Sequence, residues 1–530
     1  MDAIEFAPGC PQAAPAPFPV IPAPSGSEDC LFLNVYAPRR KEKAKLPVLV
    51  WVHGGGYGFG NGQQDMTEII NDNDNSFIAV SIQYRVSLFS RCIRHQLIMS
   101  KLGAFGFLSS TEIQQNSALN AGILDMAFAL QWVQDHIDRF GGDKSRVTVA
   151  GQSAGAGGVM LLGIAKNGTL GTSIFSNVCG LLTTLRSLLT MRQIIAASPY
   201  LPPQHKFDAS APTRQYESFS TSAGCANSTE TLSCLRSKDS ITLQTANSDV
   251  NAANLYGHWA FAPVTEPESS FINTHPSDSL AAGLVNGEHI LVGNNANEGP
   301  LFVPTIDSTK ALQTWLQDAF PSVASTDFEA ILAAYPPSNL TNNDTFATTG
   351  LGPATAMDTS SFASGIQQRA YNIYAEATFV CPSYWLSGAF TTENRTAFHY
   401  QYSVPGALHG SDVTAYFGPA TPSQPRSFTT VFRQIWGHFV TAANPATAKG
   451  LTNLTWPTWA KDGHGKMLNL NITGGVPYSA PQLTGTTIAE YTDPGLQNHF
   501  TVVNALEWEG NRGARCELWR GIACKEVERN

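Results

Sequence analysis

Apolar residues collect in short, nearly unbroken runs in the first part of the chain. Residues 46–53, 76–84 and 146–150 are three such runs, and the first of them ends in glycines. A strand that is covered on both faces has this pattern. Between the last two runs, residues 120–140 place apolar side chains at helical spacing and are followed by Gly141 and Gly142. The alternation of strand and helix predicts an α/β fold with a mostly parallel central sheet.

The second half of the chain continues this alternation. Apolar strands are predicted at residues 290–292 and 397–404, with amphipathic segments between them. No internal repeat and no linker divides the chain, so we expect one large domain over residues 1–530. The first 26 residues are rich in Pro and Ala, and no basic start followed by an apolar stretch is visible as a signal peptide. Either the protein is intracellular or its true start is missing.

Composition narrows the classes of function. Hydrophobic residues make up 43% and charged residues 14% of the 530 positions, which permits a large buried core. The net charge of -9 removes the electrostatic basis for binding a phosphate backbone, so we expect no nucleic-acid partner. The longest apolar runs are much shorter than the roughly 18 residues that a membrane helix needs, so we expect no membrane span.

The pentapeptide Gly151-Gln-Ser153-Ala-Gly155 directly follows the third predicted strand and precedes an apolar, helix-like segment at 158–165. A glycine-rich turn is the simpler interpretation of the pentapeptide alone. Its place between a strand and a helix favours a nucleophile, because small neighbours allow a sharp turn that exposes the serine hydroxyl above the end of the sheet. We therefore predict that Ser153 is a catalytic nucleophile.

A serine nucleophile also needs hydrogen-bond donors for the oxyanion that forms during attack. The stretch His53-Gly-Gly-Gly56 lies at the carboxyl end of a predicted buried strand, where a plain flexible loop is the other interpretation. The unhindered N–H groups of Gly55 and Gly56, together with the N–H of Ala154, are predicted to form the oxyanion hole. This chemistry requires no metal and no organic cofactor.

The base is expected to be a histidine late in the chain, since this architecture places serine, acid and histidine in that order. Five histidines qualify by position: His399, His409, His438, His464 and His499. His409 is favoured because it lies in a loop directly after a predicted strand. Glu298 follows another predicted strand and is the favoured acid, whereas His438 lies in a helical pattern and is better explained by packing or surface exposure.

Together these motifs resemble the type-B carboxylesterase/lipase family, the cholinesterase-like branch of the α/β-hydrolases, and are most similar to its secreted fungal members. The motifs run in family order along nearly the whole chain: SEDCLFLNVY, HGGG, NAGILD, FGGDKSRVT, GQSAG, NEG and HGSD. The resemblance implies an α/β-hydrolase fold and a serine carboxylic ester hydrolase that acts on a small-molecule or lipid-like ester. It also implies Ser153, Glu298 and His409 as the triad and Gly55, Gly56 and Ala154 as the oxyanion hole.

The resemblance further implies three disulfide bonds, Cys10–Cys30, Cys225–Cys234 and Cys381–Cys516, and hence an oxidising, extracellular location. Seven Asn-X-Ser/Thr sequons are compatible with a secreted glycoprotein. The family usually has Glu before the nucleophile, where this chain has Gln152. Cholinesterases bind their cation with an aromatic residue in the loop between the first cysteine pair, but residues 11–29 contain no Trp and one Phe, so we expect no choline specificity. The start of the chain is expected to be truncated, because most of the region that the family has ahead of Cys10 is absent.

Two segments of 16 residues, 86–101 and 178–193, interrupt the resemblance. Each begins with Val, whose codons start with GT, and ends with Lys or Gln, which AAG or CAG can encode. We hypothesise that both are retained short introns, since sixteen codons keep the reading frame. Genuine surface-loop insertions are the alternative, and sequencing the mature transcript across both sites distinguishes the two.

Two other functions are possible within the family that these motifs resemble. A lactone-opening or acyl-transferring enzyme of a biosynthetic pathway would form the same acyl-enzyme. A non-enzymatic interaction protein of the cholinesterase-like type would not need the nucleophile, and the presence of Ser153, Glu298 and His409 together argues against it. Selectivity for the ester is expected to come from the loops at 256–266 and 301–346.

Overall fold

The apolar runs of the sequence form the centre of a nine-stranded sheet. The computed structural model describes residues 5–39, 45–85, 106–170, 191–267, 271–321, 323–336, 360–392, 394–460 and 465–527. Strands β1 to β9 are Leu33–Tyr36, Leu46–Val52, Ile78–Ile82, Gly142–Gln152, Met191–Ala197, His289–Asn295, Thr396–Tyr402, Lys466–Pro481 and Thr487–Asn504.

The strands lie in the order β1-β3-β2-β4-β5-β6-β7-β8-β9. All neighbours from β3 to β8 in this order are parallel, and β1 and β9 pair antiparallel at the two edges. The predicted mostly parallel sheet is therefore confirmed. Because parallel strands end at the same side, the loops after β2, β4, β6 and β7 converge at one edge of the sheet.

Helices cover both faces of this sheet. Helices α1 to α15 are Thr67–Asn71, Thr111–Asn116, Ala121–His136, Ala154–Gly168, Ser210–Ser222, Thr231–Ser237, Ser240–Ala252, Pro276–Ala281, Thr309–Ala319, Ser325–Ala334, Gly365–Ala375, Cys381–Ala389, Val413–Phe417, Arg426–Ala442 and Trp508–Val527. A π-helical turn, Glu376–Val380, joins α11 to α12.

The unbroken hydrophobicity of β2 follows from burial on both faces. Val48, Val50 and Val52 belong to one core cluster, together with apolar side chains of α3 and α4. The alternate residues Leu49 and Trp51 belong to a second cluster, which α14 covers. Successive side chains of a strand point to opposite faces, so a strand between two helical layers needs apolar residues at every position.

Three disulfide bonds join Cys10 to Cys30, Cys225 to Cys234 and Cys381 to Cys516. These are the pairs that the family resemblance implied. The first closes the segment ahead of β1, and the third joins α12 to α15. Among the described residues, no helix combines the length and apolar character that a membrane span requires.

The two suspected insertions lie largely outside the described residues, namely 86–101 and 178–190. Residues 191–193, the last three of the second segment, are part of β5, where Gln193 pairs with Thr148 of β4. At the first site, the described residues Arg85 and Gly106 touch: a Cβ atom added to Gly106 would lie 1.9 Å from the Arg85 carbonyl oxygen. The retained-intron hypothesis stays a prediction.

Candidate active site

Ser153 occupies a sharp turn between β4 and α4. Its backbone has φ 57° and ψ -128°, a positive φ that non-glycine residues rarely adopt. The turn also brings backbone segments very close together: a Cβ atom on Gly155 would lie 2.2 Å from the carbonyl oxygen of Val52. On Gly151 it would lie 2.4 Å from the backbone of Gly155. The two glycines of the pentapeptide are therefore required by close packing, and the turn holds the serine hydroxyl at the carboxyl edge of the sheet.

His409 lies in the loop that follows β7, beside the serine. Its Nε2 atom is 2.7 Å from Ser153 Oγ, and its Nδ1 atom is 2.5 Å from Glu298 Oε2. A hydrogen bond from the backbone N–H of Asn297 to the carbonyl of Ala407, 2.9 Å long, ties the acid loop to the histidine loop. Residues 256 positions apart in sequence thus form one continuous line of hydrogen bonds.

Glu298 follows β6 and is completely buried. Its Oε1 atom accepts hydrogen bonds from the backbone N–H of Asn295 and from the hydroxyl of Ser198, both at 2.6 Å. These two donors fix the carboxylate and leave Oε2 free to face His409. A buried carboxylate in this place orients the imidazole and balances the charge of an imidazolium.

The sequence predicts the N–H groups of Gly55, Gly56 and Ala154 as the oxyanion hole. Gly55 and Gly56 have φ angles of 106° and 62°, and Ala154 is the first residue of α4. Within the described part of the chain, none of these three N–H groups has a hydrogen-bond acceptor. A Cβ atom on Gly56 would lie 2.1 Å from the Trp259 ring, so only glycine fits there. Unpaired N–H groups beside a helix N-terminus suit a developing oxyanion.

His53, at the start of the glycine stretch, is a packing residue. It is buried, and burial lowers its pKa to about 4. Its Nδ1 atom lies 2.9 Å from the Gly54 carbonyl oxygen, and its ring stacks on Tyr84 with 4.4 Å between centroids. The neutral imidazole stabilises the shape of the loop that carries Gly55 and Gly56.

The other late histidines are placed elsewhere. His399 is buried on β7 between Ser387 and Asn294, and burial lowers its pKa to about 3. His438 lies on α14 and hydrogen-bonds Thr447, as the helical pattern suggested, and His499 lies on β9. His464 lies outside the described residues.

Aromatic side chains enclose the histidine. The ring centroids of Phe379 and Phe302 lie 4.3 and 5.1 Å from that of His409. Trp259 packs against Phe302, and Tyr200 stacks on Phe379. Trp259 and Phe302 belong to the two loops expected to set selectivity. Phe379 lies in the π-helical turn and had no motif that could have revealed it.

Sequence reasoning gave no role to the polar residues behind the triad. Ser198 follows β5, Asn295 ends β6, and the Asn295 amide nitrogen lies 3.2 Å from Ser198 Oγ and 3.1 Å from Asp412 Oδ1. In front of the triad, Gln152 places its Nε2 atom 3.4 Å from His409 Nε2. Of these residues, only Gln152 and Asp412 belong to the sequence motifs GQSAG and HGSD.

The nine-stranded sheet and the serine turn at its carboxyl edge define an α/β-hydrolase. The sequence profile of the carboxylesterase family matches residues 1–93 and 98–482. The chain therefore belongs to the carboxylesterase family and is a carboxylic ester hydrolase, as predicted.

Individual relatives agree with this assignment. The chain is 28% identical to Lipase 2 of Geotrichum candidum, over 91% of this chain and 78% of the relative. It is 27% identical to Secreted lipase 1 of Botryotinia fuckeliana, over 85% and 74%. The crystal structure of Aspergillus niger EstA has the same fold, with a TM-score of 0.71 and 24% identity over 98% of this chain and 88% of EstA. The secreted relatives and the disulfide bonds confirm the predicted extracellular location.

Proposed function

We propose that Ser153, His409 and Glu298 form the catalytic triad of this esterase, with the N–H groups of Gly55, Gly56 and Ala154 as the oxyanion hole. The observation that carries the proposal is the line of hydrogen bonds from Ser153 Oγ through His409 to Glu298, at 2.7 and 2.5 Å. Both distances are within the reach that proton transfer and orientation require.

The reaction proceeds through an acyl-enzyme. His409 Nε2 takes the proton of Ser153 Oγ as Oγ attacks the ester carbonyl carbon. The carbonyl oxygen becomes an oxyanion and accepts hydrogen bonds from the oxyanion hole. The C–O bond to the alcohol then breaks, and His409 gives its proton to the departing alcohol oxygen. A water molecule repeats the sequence on the acyl-enzyme, releasing the carboxylic acid and restoring Ser153.

The substrate we propose is a small-molecule or lipid-like ester with an apolar part. Phe302, Phe379 and Trp259 present rings toward the space beside His409 and the oxyanion loop. Burying an apolar group against such rings contributes roughly 25 cal/mol per Å² of area removed from water. Relatives that are named lipases support an apolar acyl chain.

Labelling with a fluorophosphonate probe, paired with hydrolysis of a short-chain aryl ester, tests the nucleophile. We expect Ser153→Ala to abolish labelling and to lower kcat by at least about a thousandfold. Ser220→Ala is the matched control, because it removes a buried hydroxyl from α5, where Ser220 Oγ donates to the Tyr216 carbonyl. Labelling that survives in a folded Ser153→Ala variant would refute the assignment.

A further inference from the structure

A second carboxyl group is buried behind the triad. Asp412 lies three residues after His409, directly before α13, and is completely inaccessible to solvent. Its Oδ1 atom accepts a hydrogen bond from the Asn295 amide at 3.1 Å. The steps of the proposed reaction do not use Asp412, so its burial beside the triad calls for another explanation.

Asn295 connects this carboxyl group to the acid of the triad. Its backbone N–H donates to Glu298 Oε1, and its side-chain amide donates to Ser198 Oγ, to Asp412 Oδ1 and, at 3.5 Å, to Glu298 Oε1. Its own Oδ1 atom has no hydrogen-bond partner among the described residues. Ser198, Asp412 and Glu298 therefore determine which way the amide points. Ser198 in turn donates to Glu298, so a change in the amide reaches the carboxylate that orients His409.

No cationic side chain forms an ion pair with Asp412 in the part of the chain that the structure describes. Within that part of the chain, its Oδ2 atom makes no hydrogen bond of normal geometry. Burial raises the pKa of the Tyr400, Tyr402 and Tyr416 phenols, and the nearby Asp412 carboxyl adds to the rise for each of them.

The charged groups that face Asp412 are those of the triad. Burial and the Glu298 carboxylate raise the pKa of Asp412 to about 7, against a smaller lowering by the Asn295 hydrogen bond and by His409. Two buried carboxyl groups that share one amide do not both ionise readily, because each disfavours the charge of the other.

We propose that Asp412 is a positioning residue: its Oδ1 atom holds the Asn295 amide, and through it the Glu298 carboxylate, in the orientation that meets His409. This inference rests on the triad proposed above. When Asp412 loses its proton at higher pH, a second negative charge stands behind Glu298 and favours the protonated form of His409. The free base that Ser153 needs then forms only at higher pH.

Two variants of Asp412 separate these roles. Asp412→Asn keeps the shape and the acceptor oxygen of the neutral acid, so kcat should fall by less than about threefold. Asp412→Ala removes one acceptor of the Asn295 amide, the one that pulls it away from Ser198 and Glu298, so kcat should fall by about tenfold or more while KM changes by less than about twofold. Asp327→Ala, at another buried aspartate, is the control for removing a buried acid, and thermal unfolding verifies that each variant is folded.

The pH profile of kcat/KM supplies a readout that a purely structural role would not move. Asp412→Asn cannot acquire the second charge, so its acid limb should be steeper than that of the wild type and lie about half a pH unit or more lower. Coincident profiles would overturn the inference. So would a folded Asp412→Ala variant with wild-type kcat, or an Asp412→Asn variant as impaired as Asp412→Ala. Full activity of Ser153→Ala in the same assay would instead overturn the proposed function.

Discussion

A carboxylate placed beside His409 tests whether this histidine is the base. Gln152 is buried, and its Nε2 atom lies 3.4 Å from His409 Nε2, the atom that faces Ser153. Gln152→Glu exchanges the amide for a charged group of nearly the same shape. Two unit charges about 4 Å apart interact by about 4 kcal/mol at an effective dielectric constant of about 20. A third of that energy is enough to move the midpoint of a titration by about one pH unit.

The added charge favours protonated His409, which cannot accept the proton of Ser153. The acid limb of the kcat/KM profile should therefore move to higher pH by about one unit or more, while the plateau at higher pH is retained. Hydrolysis of a short-chain aryl ester from about pH 5 to about pH 9, at constant ionic strength, measures the shift. Gln497→Glu, an exposed position on β9, adds the same net charge and should leave the limb in place. A shift below about 0.2 unit in Gln152→Glu would refute His409 as the base.

Two further predictions concern the frame of the site. Gly155→Ala should abolish activity or soluble expression, because its Cβ atom would lie 2.2 Å from a backbone oxygen. Gly388→Ala, at a helix position with open space around it, is the control and should be neutral. Equal behaviour of the two variants would contradict the packing explanation. The Cys381–Cys516 bond joins residues 135 positions apart, and in the loop-entropy model its removal should lower the free energy of unfolding by about 5 kcal/mol. The Cys225–Cys234 bond joins residues only 9 positions apart, and its removal should lower the free energy of unfolding by about 2.5 kcal/mol. Removal of the Cys381–Cys516 bond should therefore lower Tm more than removal of the Cys225–Cys234 bond. The reverse order would contradict the loop-entropy explanation.

The sequence predicted the elements that local pattern determines. Strand β2 and helix α3 were found because burial on both faces, or helical spacing, leaves an unbroken or periodic trace. Strands β1, β5, β8 and β9 were not predicted. The outer part of the β8–β9 hairpin is largely exposed, so no hydrophobic period marks it. The bounds of the predicted strands differ by a few residues, since turn residues such as Gly142 extend β4.

The site divides in the same way. Ser153 and the glycines around it lie in contiguous motifs whose spacing the turn itself requires, so sequence alone indicated them. Glu298 and His409 were favoured by position after strands, although only the fold brings them within hydrogen-bond distance. Asn295 and Phe379 act through contacts between elements distant in sequence, and neither residue type carries a pattern that points to those contacts.

The residue that becomes acylated tests the central claim most directly. An aryl ester is mixed with the enzyme, the reaction is stopped in acid during the first turnover, and the digested protein is mapped by mass spectrometry. We predict the acyl group on Ser153 Oγ, and no acylated peptide in a His409→Ala variant under the same conditions. An acyl group on another residue, or ester hydrolysis at the wild-type rate by Ser153→Ala, would contradict the proposed mechanism.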